Sequence, residues 1–370
     1  MTKNLIVGAG FSGATMAYLL ANQLNEKVTI IEKKDHIAGN CYDYRDENGI
    51  MIHKYGSHIF HTNSDKVWGF IKQFTDFNTY MHKVIGIIDG IETHIPFNFN
   101  TLYDVFPPTL AKKLEEKLLQ HFKINTKVPI LEFQKQNDED LQFLANYVYE
   151  KIFLHYTTKQ WGVTPNEVDG AVTARVPVYL SNDNRYFQDK YQGIPLEGYT
   201  KVIEKMLSHK NIEVQLNTSF EDVKSSKFDR VFYSGPIDEY FQYELGQLPY
   251  RSVNFKLETY NKPYYQSNAC VNYPCNYDFT RIHEYKYYLD DKSDKTVIAK
   301  EYSEPFELGK NERYYPIPKE ENVALYNKYL EKANKLSNVY FLGRLGDYKY
   351  YDMDKAIARA LELFRKITSN

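Results

Sequence analysis

The chain has 370 residues, with 46 Lys plus Arg against 48 Asp plus Glu and a formal net charge of −2. That balance gives no electrostatic basis for a nucleic-acid or anionic-membrane partner, and no stretch approaches the roughly 18 apolar residues of a membrane span. Cys41, Cys270 and Cys275 form neither a disulfide framework nor a metal-ligand spacing. A soluble, cytoplasmic chain of roughly two or three domains is expected. Tyrosine is the outlier, at 34 residues. Its amphipathic ring suits wet clefts for sugars and phosphates, but also ordinary cores and interfaces.

The N-terminal stretch Asn4-Leu-Ile-Val-Gly8-Ala-Gly10-Phe-Ser-Gly13 is followed by a small-residue helix and then Val28-Thr-Ile-Ile-Glu32. This reads as strand, glycine turn, helix and a second strand ending in an acid. Gly8 permits the sharp turn, Gly10 removes the side chain that would hold the backbone away from a pyrophosphate, and Gly13 allows close helix–sheet packing. The helix N-terminus, at Phe11 and Ser12, offers free N–H groups to phosphate. Glu32, nineteen residues beyond Gly13, can accept both hydroxyls of an adenosine ribose. Three glycines within the apolar stretch, and Lys3 as its only basic flank, argue against a secretory signal.

The loop Lys33 to Asn40, with Gly39, is placed to close over a dinucleotide. Tyr80 to Pro96 predicts a hairpin, because Asp89-Gly90 between two β-rich runs is a type I′ turn signal. From Asn100 to about Val168 the period changes to helical, with Leu110, Leu114, Leu118 and Leu119 assigned to one stripe. Asn182 to Gly193 reads as an aromatic connector. A helix over Gly198–Leu207, strands over Ile212–Leu216 and Phe228–Tyr233, and alternating strands through 250–303 follow. Last comes the strand Asn338–Leu342, a Gly343–Gly346 loop and a helix over Asp354–Ile367. That final unit suits FAD, as in flavoproteins of the glutathione-reductase type, where a second helix N-terminus approaches the flavin end.

The expected fold class is therefore α/β. A Rossmann-like FAD-binding domain (1–79, 192–240 and 318–370) is assembled from separated segments. A β-sheet domain (80–99, 181–191 and 241–317) and a helical domain (100–180) complete it.

Several segments resemble bacterial UDP-galactopyranose mutases: His53-Lys-Tyr-Gly-Ser-His58-Ile59-Phe-His61, Tyr156-Thr-Thr-Lys-Gln-Trp161-Gly, Tyr191-Gln-Gly-Ile-Pro195, Tyr250-Arg251-Ser, Lys300-Glu301-Tyr and Gly343-Arg344-Leu-Gly-Asp-Tyr-Lys-Tyr350-Tyr351-Asp352-Met353. The likeness covers the whole chain in order. It implies an isomerase that interconverts pyranose and furanose rings of a nucleotide sugar with no net redox change. Reduced FAD, supplied by a reductant such as NAD(P)H, attacks the anomeric carbon through its N5 and displaces the nucleoside diphosphate, a case of nucleophilic catalysis. The resemblance also implies a homodimer feeding cell-surface polysaccharide synthesis, with no nucleic-acid or membrane partner.

By the same resemblance Arg281 and Arg344 bind the diphosphate, as bidentate guanidinium forks can. Tyr186, Tyr315 and Tyr350 donate to its oxygens, and Tyr156 stacks on the base. Trp161, Arg251, Asn272 and His61 lie at the sugar or nucleotide, and Arg175 is a lid arm. His58 and Ile59 lie against the flavin, while Gly8, Gly10, Phe11, Ser12, Gly13, Glu32, Lys33, Gly39, Asn40, Arg344, Tyr351, Asp352 and Met353 hold the cofactor. Glu301 and Asp352 either orient sugar hydroxyls or serve as ion-pair partners of the arginines, and Trp161 is equally a core anchor. His58 and His61 are three apart on a strand-like segment, which predicts opposite faces and no metal pair. Tyr179 stands where the family often has a second arginine, so UDP-galactose leads while N-acetylated, deoxyhexose or other nucleotide sugars stay open. An FAD-dependent amine oxidase is the more distant alternative.

Overall fold

The computed structural model describes residues 2–162, 177–223 and 227–369. A five-stranded parallel sheet has the order Ile212–Gln215, Lys27–Ile31, Lys3–Val7, Arg230–Tyr233, Val339–Phe341. Three distant stretches of chain thus form one sheet. Leu5, Ile6, Ile30 and Phe232 are fully or almost fully buried, as expected of parallel strands covered on both faces. The helices Phe11–Gln23, Tyr199–Leu207 and Met353–Thr368 supply much of the matching core through Ala14, Ala17, Ile203, Met206, Ile357 and Ala360.

A seven-stranded sheet runs Tyr315–Pro316, Tyr250–Tyr260, Thr296–Pro305, Arg281–Glu284, Cys270–Asn272, Val84–Ile88, Ile91–Ile95. Its neighbours are antiparallel except for Cys270–Asn272 beside Val84–Ile88. Asp89 and Gly90 carry φ values of +50° and +85°, the two positive angles of the type I′ turn. Val84, Ile88 and Ile95 of this hairpin share a core with the helices Pro108–His121 and Glu139–Val148.

Several expectations need correction. Leu114 and Leu118 are buried, but Leu119 is 41% exposed, because adjacent helical residues point about 100° apart. The helical region includes a strand, Lys127–Val128, paired with Val178–Tyr179, and its described helix ends at Trp161; the expectation for 163–168 lies outside the described residues. Segment 181–191 adds no strand to the seven-stranded sheet. Tyr191–Gly193 instead pairs with Phe60–Thr62, tying the connector to the nucleotide domain.

Candidate active site

The glycine turn begins the site. Gly8 has φ +98°, and a Cβ on it would lie 2.3 Å from Ser234 Oγ. A Cβ on Gly13 would lie 2.0 Å from the Gly8 carbonyl oxygen, so the helix can approach the strand only without a side chain there. A Cβ on Gly10 would meet nothing nearer than the Gly39 Cα at 3.9 Å, so bare backbone faces bare backbone. As N-cap, Gly10 supplies no side-chain cap to Phe11–Gln23, so that helix's first N–H groups are available for an anion. Glu32 is 6% exposed and accepts from the amides of Ala9 (3.0 Å) and Lys34 (3.1 Å). Lys34 Nζ is buried without a hydrogen-bond partner, and burial pushes its pKa down.

Gly8, Gly10, Glu32 and Lys34 line a cavity of about 550 Å³ that continues past Gly39, Asn40, His58 and Ile59 to Arg344, Tyr351, Asp352 and Met353. Asp352 is the N-cap of Met353–Thr368 and makes no side-chain cap bond. Two long helices therefore bring uncapped N-termini to one cleft. Together with a carboxylate at one end, bare glycine backbone and a buried ammonium that makes no hydrogen bond, this fits a dinucleotide cofactor.

The other part of the cavity is lined by the sheet. Arg281 and Glu301 are cross-strand partners, and Arg281 Nε donates to Glu301 Oε2 at 2.8 Å. His283 Nε2 bonds the same oxygen at 2.9 Å. Burial alone would raise the Glu301 carboxyl, but Arg281 and His283 outweigh it and hold it down at about 2. Glu301 is thus an ion-pair partner of Arg281. Asp352 is not one of Arg344: among the described residues no carboxylate lies within ion-pair distance of Arg344. Arg344 donates to the carbonyls of Tyr314 and Tyr351 and lies 5.5 and 5.1 Å from the ring centres of Tyr315 and Tyr350. Those two rings stack at 5.2 Å. Asn272, Tyr186 and His61 also line this part.

His58 and His61 both line the cavity, against the expectation of opposite faces. The extended strand starts only at Phe60, so strict alternation does not reach His58. His58 Nδ1 donates to the Gly56 carbonyl at 2.7 Å, and burial lowers its pKa to about 4, leaving it neutral. Four expected residues lie off the cavity lining. Gly13 acts through packing. Trp161 is 5% exposed and meets the Tyr315 ring at 6.0 Å, a wall anchor behind a lining tyrosine. Tyr156 is off the lining but close enough for the Arg281 charge to act on its hydroxyl. Arg251 points elsewhere: it donates to the carbonyls of Lys159 and Gln160 and to Ser303 Oγ, satisfying the C-terminus of the helix His155–Trp161. Arg175 lies outside the described residues.

Sequence reasoning missed His283, His82, Phe187 and Arg313 in the lining. A signal existed only for His283, two residues after Arg281 and therefore on the same sheet face.

Residues 6–74 match the NAD(P)-binding Rossmann-like domain family, and residues 151–350 match the UDP-galactopyranose mutase family. A probable UDP-galactopyranose mutase of Klebsiella pneumoniae is 39% identical over 97% of this chain and 93% of its own.

The chain belongs to the UDP-galactopyranose mutase family.

It is accordingly an isomerase built on a flavin-binding fold. A dTDP-fucopyranose mutase of Escherichia coli is 37% identical over 98% of this chain and 97% of its own, and a UDP-galactopyranose mutase of Mycoplasma genitalium 36% over 99% and 94%. Among solved structures, a reduced UDP-galactopyranose mutase aligns over 100% of this chain and 94% of its own, with a TM-score of 0.72 at 16% identity. A putative protoporphyrinogen oxidase from Exiguobacterium aligns with a TM-score of 0.65 at 13%, over 99% and 98%. The mutase and oxidase share this fold, so the fold alone does not select the chemistry.

Proposed function

We propose that this mutase-family enzyme interconverts the pyranose and furanose forms of a nucleoside-diphosphate hexose, with UDP-galactose its leading substrate. The observation that carries this is the convergence of Arg281, on a strand of the seven-stranded sheet, and Arg344, on the short helix Gly343–Gly346 after the last strand of the parallel sheet, on the cavity that also fits the dinucleotide. FAD, when bound in its reduced form, supplies the nucleophile for the anomeric carbon, and an external reductant such as NAD(P)H keeps it reduced. Arg281 has its Nε held by Glu301, which points the rest of the fork at a diphosphate. Arg344 is held against Tyr315 and Tyr350, whose hydroxyls add neutral donors. Together they bind the diphosphate as leaving group and as returning nucleophile, and keep it close between the two events.

A second reading, the same chemistry on a dTDP-deoxyhexose, is favoured by the relative at 37% identity that is named a dTDP-fucopyranose mutase. We also place the enzyme in the cytoplasm as a homodimer, supplying furanose for cell-surface polysaccharide. The test is a ring-isomer assay on purified protein with dithionite-reduced and with oxidised flavin, comparing UDP-galactose, UDP-N-acetylgalactosamine and dTDP-fucose. Conversion of one substrate, and only in the reduced enzyme, is expected. Turnover with oxidised flavin and net substrate oxidation would replace the mutase with an oxidase.

A further inference from the structure

One face of the seven-stranded sheet carries a thiol that the ring chemistry does not use. Cys270 and Asn272 on one strand stand opposite His283 and Arg281 on the next, and Arg281 stands opposite Glu301 on the third. Residues two apart on a strand share a face, and all five line the cavity. His283 gives Nε2 to Glu301 at 2.9 Å, while its Nδ1 is buried and makes no hydrogen bond. Its cross-strand partner Cys270 is 1% exposed, with Sγ 3.7 Å from Asn272 Oδ1. We propose that Cys270, served by His283 as base, is a modification site for hydrogen peroxide, and that its oxidation to a sulfenic acid weakens the hold of the cavity on a nucleoside diphosphate. The second clause rests on the function proposed above.

Cys270, His283 and Glu301 are a nucleophile, a base and a group that orients the base. Glu301 fixes the hydrogen of the imidazole on Nε2, which leaves Nδ1 to accept from the thiol. Burial opposes a charge on His283, but Cys270 and Glu301 outweigh it and raise its pKa. Arg281 also feels Cys270, and cationic neighbours are what make a cysteine a nucleophile. The other two cysteines are placed differently. Burial pushes Cys41 up to about 12 and raises Cys275, whose Sγ donates to the Lys151 carbonyl at 3.7 Å.

Cys270 gives its proton to His283 Nδ1, and the sulfur attacks one oxygen of the peroxide. The S–O bond forms as the O–O bond breaks, so the sulfur loses two electrons and the peroxide gains them. The departing hydroxide takes the proton from Nδ1 and leaves as water, which returns His283 to its starting state. Hydrogen peroxide is what dioxygen becomes on taking two electrons from a reduced flavin, so the oxidant arises beside its target. The slight exposure of Cys270 admits an oxidant of this size and shields the thiol from bulkier ones. The new oxygen lies within reach of the Arg281 charge and competes with a diphosphate for that fork. A sulfenic acid is reduced again by thiols.

The test treats the oxidised, flavin-loaded enzyme with hydrogen peroxide and quenches it into denaturant containing dimedone. Peptide mass spectrometry then reads each cysteine, and calorimetry reads UDP affinity before and after peroxide. Dimedone capture at Cys270 ahead of Cys41 and Cys275 is expected. UDP affinity should fall roughly tenfold, the size of one charge-assisted contact, and return with dithiothreitol. His283→Gln should slow capture at Cys270 by roughly 10²-fold, the low end for proton transfer by a positioned base. Cys270→Ala should bind UDP as the native enzyme does and keep that affinity after peroxide. No capture at Cys270 in the native enzyme, unslowed capture in His283→Gln, or an equal loss of UDP affinity in Cys270→Ala would overturn the assignment. Capture at Cys270 in a native enzyme that binds neither UDP nor dTDP would instead overturn the nucleoside-diphosphate reading of the cavity.

Discussion

Arg281 combines a buried anchor with an open fork. Glu301, 2% exposed, accepts from Arg281 and His283, so the guanidinium cannot swing away without leaving a buried carboxylate short of a partner. Arg281→Ala in the flavin-loaded enzyme should reduce kcat/KM by ~2–4 kcal/mol, as expected for loss of a charge-assisted contact; steady-state kinetics with the preferred nucleotide sugar will check it, and an unchanged value removes Arg281 from the site. The sequence named Arg281 and Glu301 separately through their family motifs. Their pairing depends on the strand register Arg281↔Glu301, which no local pattern shows. Arg251 makes the opposite point. Its motif suggested substrate contact, yet its nearest needs are the carbonyls ending a neighbouring helix.

Among the elements, the glycine turn with its helix was the most legible, because steric demands act within a few residues. Gly13 allows the helix Phe11–Gln23 to lie against Gly8, where a Cβ would stand 2.0 Å from backbone oxygen. Gly13→Ala should displace the helix N-terminus and abolish stoichiometric flavin binding, as read from the flavin absorbance of the purified protein. Full flavin content would show that the helix can shift without losing the anion site. The His58–His61 segment was misread at this scale: an alternation argument assumed a strand that the chain starts only at Phe60. The short pairing of Tyr191–Gly193 with Phe60–Thr62 was equally hidden, since three-residue strands carry too little periodicity to register.

Across the whole molecule, several histidines are buried and kept uncharged. Burial lowers His53 and His82 to about 3 and His58 to about 4, against about 6.5 in the unfolded chain. Their folded values lie below their unfolded ones, so between pH 6.5 and 4 the unfolded state binds more protons and folding loses stability as pH falls. Each such proton contributes a slope of about 1.4 kcal/mol per pH unit. Denaturant unfolding across that window should show stability falling with acid, and His82→Gln should flatten the fall; a pH-independent midpoint would contradict this account.

The sequence by itself determined the dinucleotide turn, the type I′ hairpin, the segmented cofactor domain and the membership in a mutase family. Each of these rests on local sterics or on motifs of several specific residues. Tertiary structure decided which of the named side chains share a cavity. It set Arg281 on Glu301, sent Arg251 to a helix end, and brought His61 to Asp189, 128 residues away. The reason is that strand register and the docking of distant segments fix side-chain neighbours, and both are settled by the burial of a common core rather than by any stretch of chain alone.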